Sequence, residues 1–109
     1  MCKSLLLYFN LMPSYCYILY SKSLDKYYIG ATQDDLDLRI EKHNQGTYGK
    51  HRFTATAGDW GIFIKIPVQD YPHAIRLERH IKSMKSRKYI ENLKKYPDLV
   101  EKILMRTST

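Results

Sequence analysis

Tyr15-Cys16-Tyr17-Ile18-Leu19-Tyr20 and, seven residues on, Tyr28-Ile29-Gly30 are the stretch on which the fold turns. Two short aromatic, apolar runs flank the polar Ser21-Lys22-Ser23-Leu24-Asp25-Lys26. β-branched and aromatic residues favour a half-buried pleated surface, and the polar middle with Asp25 is turn chemistry. The pattern predicts a β-hairpin with a loop near the upper end of the common length range. Cross-strand aromatic packing accounts for most of the dense tyrosines Tyr15, Tyr17, Tyr20, Tyr27 and Tyr28.

Beyond the hairpin, Thr32 has the chemistry of a helix N-cap, with Asp35 three residues on in the weaker form of a capping box. Asp34, Asp35 and Asp37 suit the positive end of a helix. Leu36, Ile40 and His43 recur at helical spacing, so residues 34–44 read as a short helix that Asn44-Gln45-Gly46 ends. Residues 45–59 form a long polar loop carrying Lys50, His51 and Arg52, and long loops in compact domains are often functional. Trp60–Ile66 reads as a strand closed by Pro67, with Ile62, Ile64 and Ile66 on one face. Asp70 and Pro72 open a second helix with Ala74, Leu77, Ile81 and Met84 as its stripe. Ser86 breaks it or caps a following helix through Tyr89, Ile90 and Leu93. Pro97 starts a last short helix with Leu99, Val100, Ile103 and Leu104, and Met105–Thr109 is expected to fray. The sum is an α+β domain, a small three-stranded antiparallel or mixed sheet flanked by three to four helices. It divides into an N-terminal extension (1–13), a main domain (14–96) and a C-terminal helix and tail (97–109).

The 109 residues suffice for one core without staples. The formal charge of +7 is large for so small a body and points to a polyanionic partner, nucleic acid before membrane. Cys2 and Cys16 form no metal-ligand spacing and no disulfide framework, which fits a reduced, cytoplasmic setting. Lys3 and Ser4–Phe9 faintly mimic a signal peptide, but Asn10 interrupts the run and it is too short to span a bilayer. A packed extension, or a start at Met12, is the expectation, with no membrane partner.

Chemistry concentrates in three places. Glu78 falls within the apolar stripe of the second helix, where a carboxylate needs a partner; either Lys82 at i+4 or a functional role supplies one. Arg39 and His43, four apart, project from one helix face, with Asp35 four residues before Arg39 as an alternative partner. Between 76 and 95 stand Arg76, Arg79, Lys82, Lys85, Arg87, Lys88, Lys94 and Lys95, against only Glu78 and Glu91. So one-signed a run fits a phosphate backbone better than a salt-bridged face. No zinc spacing, glycine-rich phosphate loop or serine elbow occurs.

Taken in order, Tyr17–Ser21, Tyr28–Thr32, Arg39-Ile-x-x-His43-Asn44 and Glu78-x-x-x-Lys82 resemble the GIY-YIG nuclease family. The resemblance is strongest to its small stand-alone bacterial members and covers about residues 15–95. The family includes the incision module of bacterial nucleotide-excision repair, some homing endonucleases and some restriction enzymes. The first motif departs by reading Tyr15-Cys16-Tyr17, and Asn92 is a loose counterpart of a late family asparagine, a surface that Lys88 could occupy instead.

The resemblance implies a metal-dependent DNA endonuclease with Tyr17, Tyr28, Arg39, His43 and Glu78 as catalytic residues. Glu78 would hold one Mg²⁺ or Mn²⁺, and Arg39 would grip a non-bridging phosphate oxygen. Tyr17 would act as general base, oriented or relieved of its proton by His43, and Tyr28 would position water or phosphate. Lys50, Arg52, Arg79, Lys82, Lys85, Arg87, Lys88 and Asn92 would contact DNA. A domain this small leaves little surface for a separate reader, so a protein partner could supply specificity, with the chain a monomer or weak dimer. The competing readings are a basic nucleic-acid binder without catalysis and a nuclease acting on RNA.

Overall fold

Strand β1 (Ser14–Ser21) is buried on both sides of its pleat, and the architecture follows from covering both. Cys16 and Ile18 point one way, into a cluster with Ile66, Leu77, Ile81, Ile90, Leu93 and Ile103. Tyr17 and Leu19 point the other way, against Leu36 and Trp60. Strand β1 is therefore more deeply buried than a half-exposed pleat, whereas residues 26–29 of the second strand are exposed or half-buried. A strand wrapped on both faces must also be central, since its backbone groups need partners on both edges. It pairs antiparallel with β2 (Lys26–Thr32) and β3 (Trp60–Val68), in the order β2-β1-β3. The computed structural model describes residues 13–33, 35–46, 54 and 57–109. Among these are four helices: α1 (Leu36–Gln45), α2 (Tyr71–Met84), α3 (Arg87–Lys95) and α4 (Pro97–Arg106). Helix α1 covers the Tyr17 face through Leu36 and Ile40, and the other three supply the Cys16 face. The sheet is antiparallel throughout and the domain is α+β, as expected.

Several helix ends follow the sequence. Asp70 accepts from the His73 N–H at the start of α2, and Ser86 accepts from the Tyr89 N–H at the start of α3, so Ser86 is a cap. Gly46 closes α1 in the left-handed conformation, with φ at 68°. The start of α1 is a correction. Asp35, not Thr32, is the N-cap, accepting from the Asp37 and Leu38 N–H groups. Thr32 is unavailable because it is the last residue of β2, paired with Tyr15 and buried.

Strand β3 corrects a second expectation. It runs through Pro67 to Val68, on an edge strand, where proline is tolerated. A register shift opposite Ile18/Leu19 interrupts the alternation, so Ile64 faces Ile18 while Ile62 faces Leu19. Ile66 is buried and Ile62 is 46% exposed; the three isoleucines do not share one environment. The C-terminus is a third correction. Helix α4 runs to Arg106, and Arg76 of α2 donates to the carbonyls of Thr107 and Ser108 at 2.7 and 3.1 Å. Ile103 in the core and the His73–Thr107 contact at 3.0 Å tie this end down, so it does not fray.

Asp59 organises the hairpin turn from a distance. Its carboxylate accepts from the Ser21 and Ser23 hydroxyls at 2.6 and 2.9 Å and from the Ser23 N–H at 2.8 Å. These bonds, that of Ser21 foremost, hold the carboxyl below the ordinary carboxylate range. A depressed folded pKa stabilises the fold fully above the unfolded value and loses that contribution as pH falls through the folded one. Asp59→Asn is thus expected to lower the melting temperature at neutral pH. The gap to wild type should close in melts run below the ordinary carboxylate range.

Candidate active site

Register explains how a large phenol is seated in the middle of the sheet. Tyr17 lies directly across from Gly30, and its ring occupies the space a side chain there would fill. A Cβ built on Gly30 falls 2.5 Å from both Cζ and Oη of Tyr17. Gly30 has no positive φ, so the glycine is required for room and not for backbone freedom.

With its ring held there, Tyr17 is fully buried and its hydroxyl lies 3.0 Å from His43 Nε2. The opposite ring nitrogen, Nδ1, lies 2.8 Å from Thr54 Oγ1. Tyr17 is 0%, His43 3% and Thr54 2% exposed, so the chain Tyr17–His43–Thr54 is buried. Tyr28, paired with Leu19 on β2, packs its half-buried ring 4.8 Å from that of His43 and 6.4 Å from that of Tyr17. The next residue of α1 locks His43 in place. Asn44 donates to the Trp60 carbonyl at 3.0 Å and accepts from the Trp60 N–H at 2.6 Å, as a neighbouring strand would. Trp60 in turn donates its indole N–H to the Thr54 carbonyl at 2.8 Å. Arg39 stands one turn before His43 on α1, half-buried, with its Nε shielded from solvent.

Glu78 comes from the other face. Helix α2 packs over β2 and β1 with Ala74, Leu77 and Ile81 buried against the Cys16 side. The Glu78 side chain is 17% exposed and accepts from Lys82 Nζ at 2.5 Å, the i,i+4 pairing expected from spacing alone. Its charge is felt at β1. Burial first, then the Glu78 carboxylate, pushes the Cys16 thiol up to about 12, with Lys82 opposing. Cys16 is the residue before Tyr17. The structure thus joins Tyr17, Tyr28 and His43 by direct contacts, adds Arg39 on the same helix, and brings Glu78 to the reverse side of the same strand.

The basic residues divide by the work they already do. Lys82 holds Glu78. Arg87 donates to the Asp25 carbonyl at 2.9 Å, pairs with the Asp25 carboxylate and reaches Glu91 at 3.4 Å, tying the hairpin turn to α3. Arg79, Lys85 and Lys88 are exposed, and Asn92 is half-buried on α3. Lys50, Arg52 and their neighbour His51 lie outside the described residues. Sequence reasoning missed Thr54 and Trp60, whose parts depend on contacts across the fold and leave no local signal.

The family model for the GIY-YIG catalytic domain matches residues 13–92, from the entry to β1 into α3. The chain belongs to the GIY-YIG family. Membership makes this a nuclease-type domain with nucleic acid as its substrate class, in a family generally dependent on divalent metal. No curated protein and no solved structure matches the chain. Among the described residues no helix is long and apolar enough to cross a membrane. In this GIY-YIG domain, no group of three or more His, Cys, Asp and Glu placed to hold a metal ion occurs among the described residues. A zinc-type cage is therefore absent from them. A lone, partly exposed carboxylate fits a hard cation that keeps most of its waters and takes its remaining ligands from phosphate.

Proposed function

We propose that the protein is a Mg²⁺- or Mn²⁺-dependent endonuclease that hydrolyses DNA phosphodiester bonds. Glu78 is the protein ligand of the ion, and the ion when bound supplies charge stabilisation at the phosphate and leaving oxygen. Arg39 binds a non-bridging oxygen through its guanidinium, which matches phosphate geometry and keeps its charge at any working pH. Tyr17 accepts the proton of the attacking water. A phenol with an unperturbed pKa of about 10 is a poor base unless its own proton has somewhere to go. His43 Nε2, at 3.0 Å, is that destination. Tyr28, at the more open side of the cluster, positions water or phosphate. Arg79, Lys85, Lys88 and Asn92 contact the DNA backbone, joined by Lys50 and Arg52, while Lys82 and Arg87 can turn from their carboxylate partners to phosphate. The buried Tyr17–His43 pair is the observation that carries this reading.

Supercoiled plasmid incubated with protein and Mg²⁺ or Mn²⁺ is expected to be nicked or cut. In that assay Arg39→Ala should lower turnover by about 10²-fold or more, the scale of removing one transition-state donor, while DNA binding falls far less. Equal losses of turnover and binding would deny Arg39 its transition-state role. One observation favours the alternative of a basic binder without catalysis: the Lys82 ion pair gives Glu78 a structural occupation. Plasmid that is bound but left intact across metals and salt concentrations would establish that alternative. Cleavage of RNA in preference to DNA would reassign the substrate.

A further inference from the structure

We propose that Thr54 is a positioning residue for the reaction, fixing His43 in the tautomer whose Nε2 can take the Tyr17 proton. The proposal rests on the reading of Tyr17 as general base. Both ring nitrogens of His43 face hydroxyls, Tyr17 Oη at 3.0 Å and Thr54 Oγ1 at 2.8 Å, and a hydroxyl can donate or accept. Two arrangements are possible. If Thr54 donates to Nδ1, the ring proton sits on Nε2 and points at the phenol oxygen, which then has no acceptor for its own proton on this ring. If Nδ1–H donates to Thr54, Nε2 offers a lone pair to the phenol O–H. Only the second arrangement lets His43 take the Tyr17 proton as Tyr17 takes one from water.

In that step the Tyr17 O–H bond breaks, an Nε2–H bond forms, and the oxygen takes up the water proton. His43 becomes an imidazolium with both nitrogens donating. Thr54 Oγ1 accepts from Nδ1–H before and after the transfer, so it need not reorganise. This is the work the carboxylate does in a serine-protease triad, done here by a neutral acceptor. Thr54 is itself held. Its carbonyl accepts from the Trp60 indole at 2.8 Å, and Trp60 is clamped to Asn44, the neighbour of His43. The hydroxyl is thereby placed by the same helix–strand junction that places the imidazole.

The test is imidazole ¹⁵N NMR of the whole protein, read together with steady-state cleavage. Wild-type His43 is expected to carry its neutral-state proton on Nδ1. Thr54→Val, of nearly equal shape, should lose that tautomer preference and lower kcat by about 10- to 100-fold, the scale on which losing the partner that orients a metal-ligating histidine acts, with KM nearly unchanged. Thr54→Ser should restore both. A wild-type proton on Nε2 would overturn the proposal, as would a Thr54→Val protein with unchanged tautomer and kcat. Should Thr54→Val fail to fold, the wild-type tautomer and Thr54→Ser still decide. The tautomer is read without substrate, so a protein that cleaves nothing yet shows Nδ1–H lost in Thr54→Val refutes the nuclease reading and not the placement of Thr54.

Discussion

Glu78→Gln is expected to abolish metal-dependent cleavage while leaving the fold intact. The change keeps shape and volume and removes one charge. Structurally it breaks the ion pair to Lys82, whose side chain is 52% exposed. An i,i+4 pair on a helix is worth only about 0.2–0.5 kcal/mol, so the melting temperature should barely move. Catalytically the loss is of another order. A cation at the phosphate supplies several kcal/mol of transition-state stabilisation, and losing it corresponds to a rate loss of roughly 10³-fold or more. Cleavage rate, melting temperature and DNA affinity measured on one preparation separate the outcomes. A variant that binds DNA and melts like wild type but does not cleave is the expected result. A variant that cleaves at the wild-type rate would remove Glu78 from the site.

Gly30→Ala is expected to damage stability and activity together. The added methyl would stand 2.5 Å from two atoms of the Tyr17 ring. Such a clash is cheap only if the neighbour can move aside. Tyr17 cannot, because it is fully buried between Gly30, Tyr28, His43 and the Leu36–Trp60 cluster. Overpacking of this kind costs about 1–3 kcal/mol. That translates into roughly 4–8 °C of melting temperature per kcal/mol for a domain near this size. Whatever displacement relieves the clash also carries the phenol away from His43 Nε2, so cleavage should fall by about 10²-fold or more, the scale of losing general base catalysis. Thermal melts and plasmid cleavage check both effects. Wild-type stability and activity in Gly30→Ala would show that the glycine does not make room for the tyrosine.

These two positions mark how much could be read from the chain. The hairpin, the caps at Asp70 and Ser86 and the stripe of α2 were legible because each is a local choice of residue type. Glu78 stood out as a carboxylate on an apolar stripe, and Arg39 and His43 as a same-face pair. Gly30 was visible as the end of the Tyr28-Ile29-Gly30 run and as part of the family motif, but not for what it does. Its role depends on facing Tyr17 across the hairpin, a matter of register and not of neighbours in sequence. Thr32 had the chemistry to cap α1, with Asp35 as its capping-box partner, until the sheet took Thr32 and left the cap to Asp35. The regular spacing of Ile62, Ile64 and Ile66 concealed a bulge, because a one-residue irregularity leaves no mark on an apolar alternation. Asp59 and Thr54 lie in or beside a polar loop where nothing distinguishes them from surface residues. Both act over long sequence separations, on Ser21 and on His43.

The central claim is that Tyr17, Arg39 and Glu78 serve one ion and one phosphate, although Tyr17 and Arg39 belong to the side of the sheet that α1 covers and Glu78 to α2, which packs over the other side. Paramagnetic broadening by Mn²⁺, titrated into the protein with a cleavage-resistant phosphorothioate duplex, reads this directly. Resonances of Tyr17, Arg39 and Glu78 should broaden together at the lowest Mn²⁺ concentrations, while those of Met105, on α4, stay sharp. Broadening at Glu78 with Tyr17 and Arg39 unaffected would contradict a shared site and, with it, the mechanism.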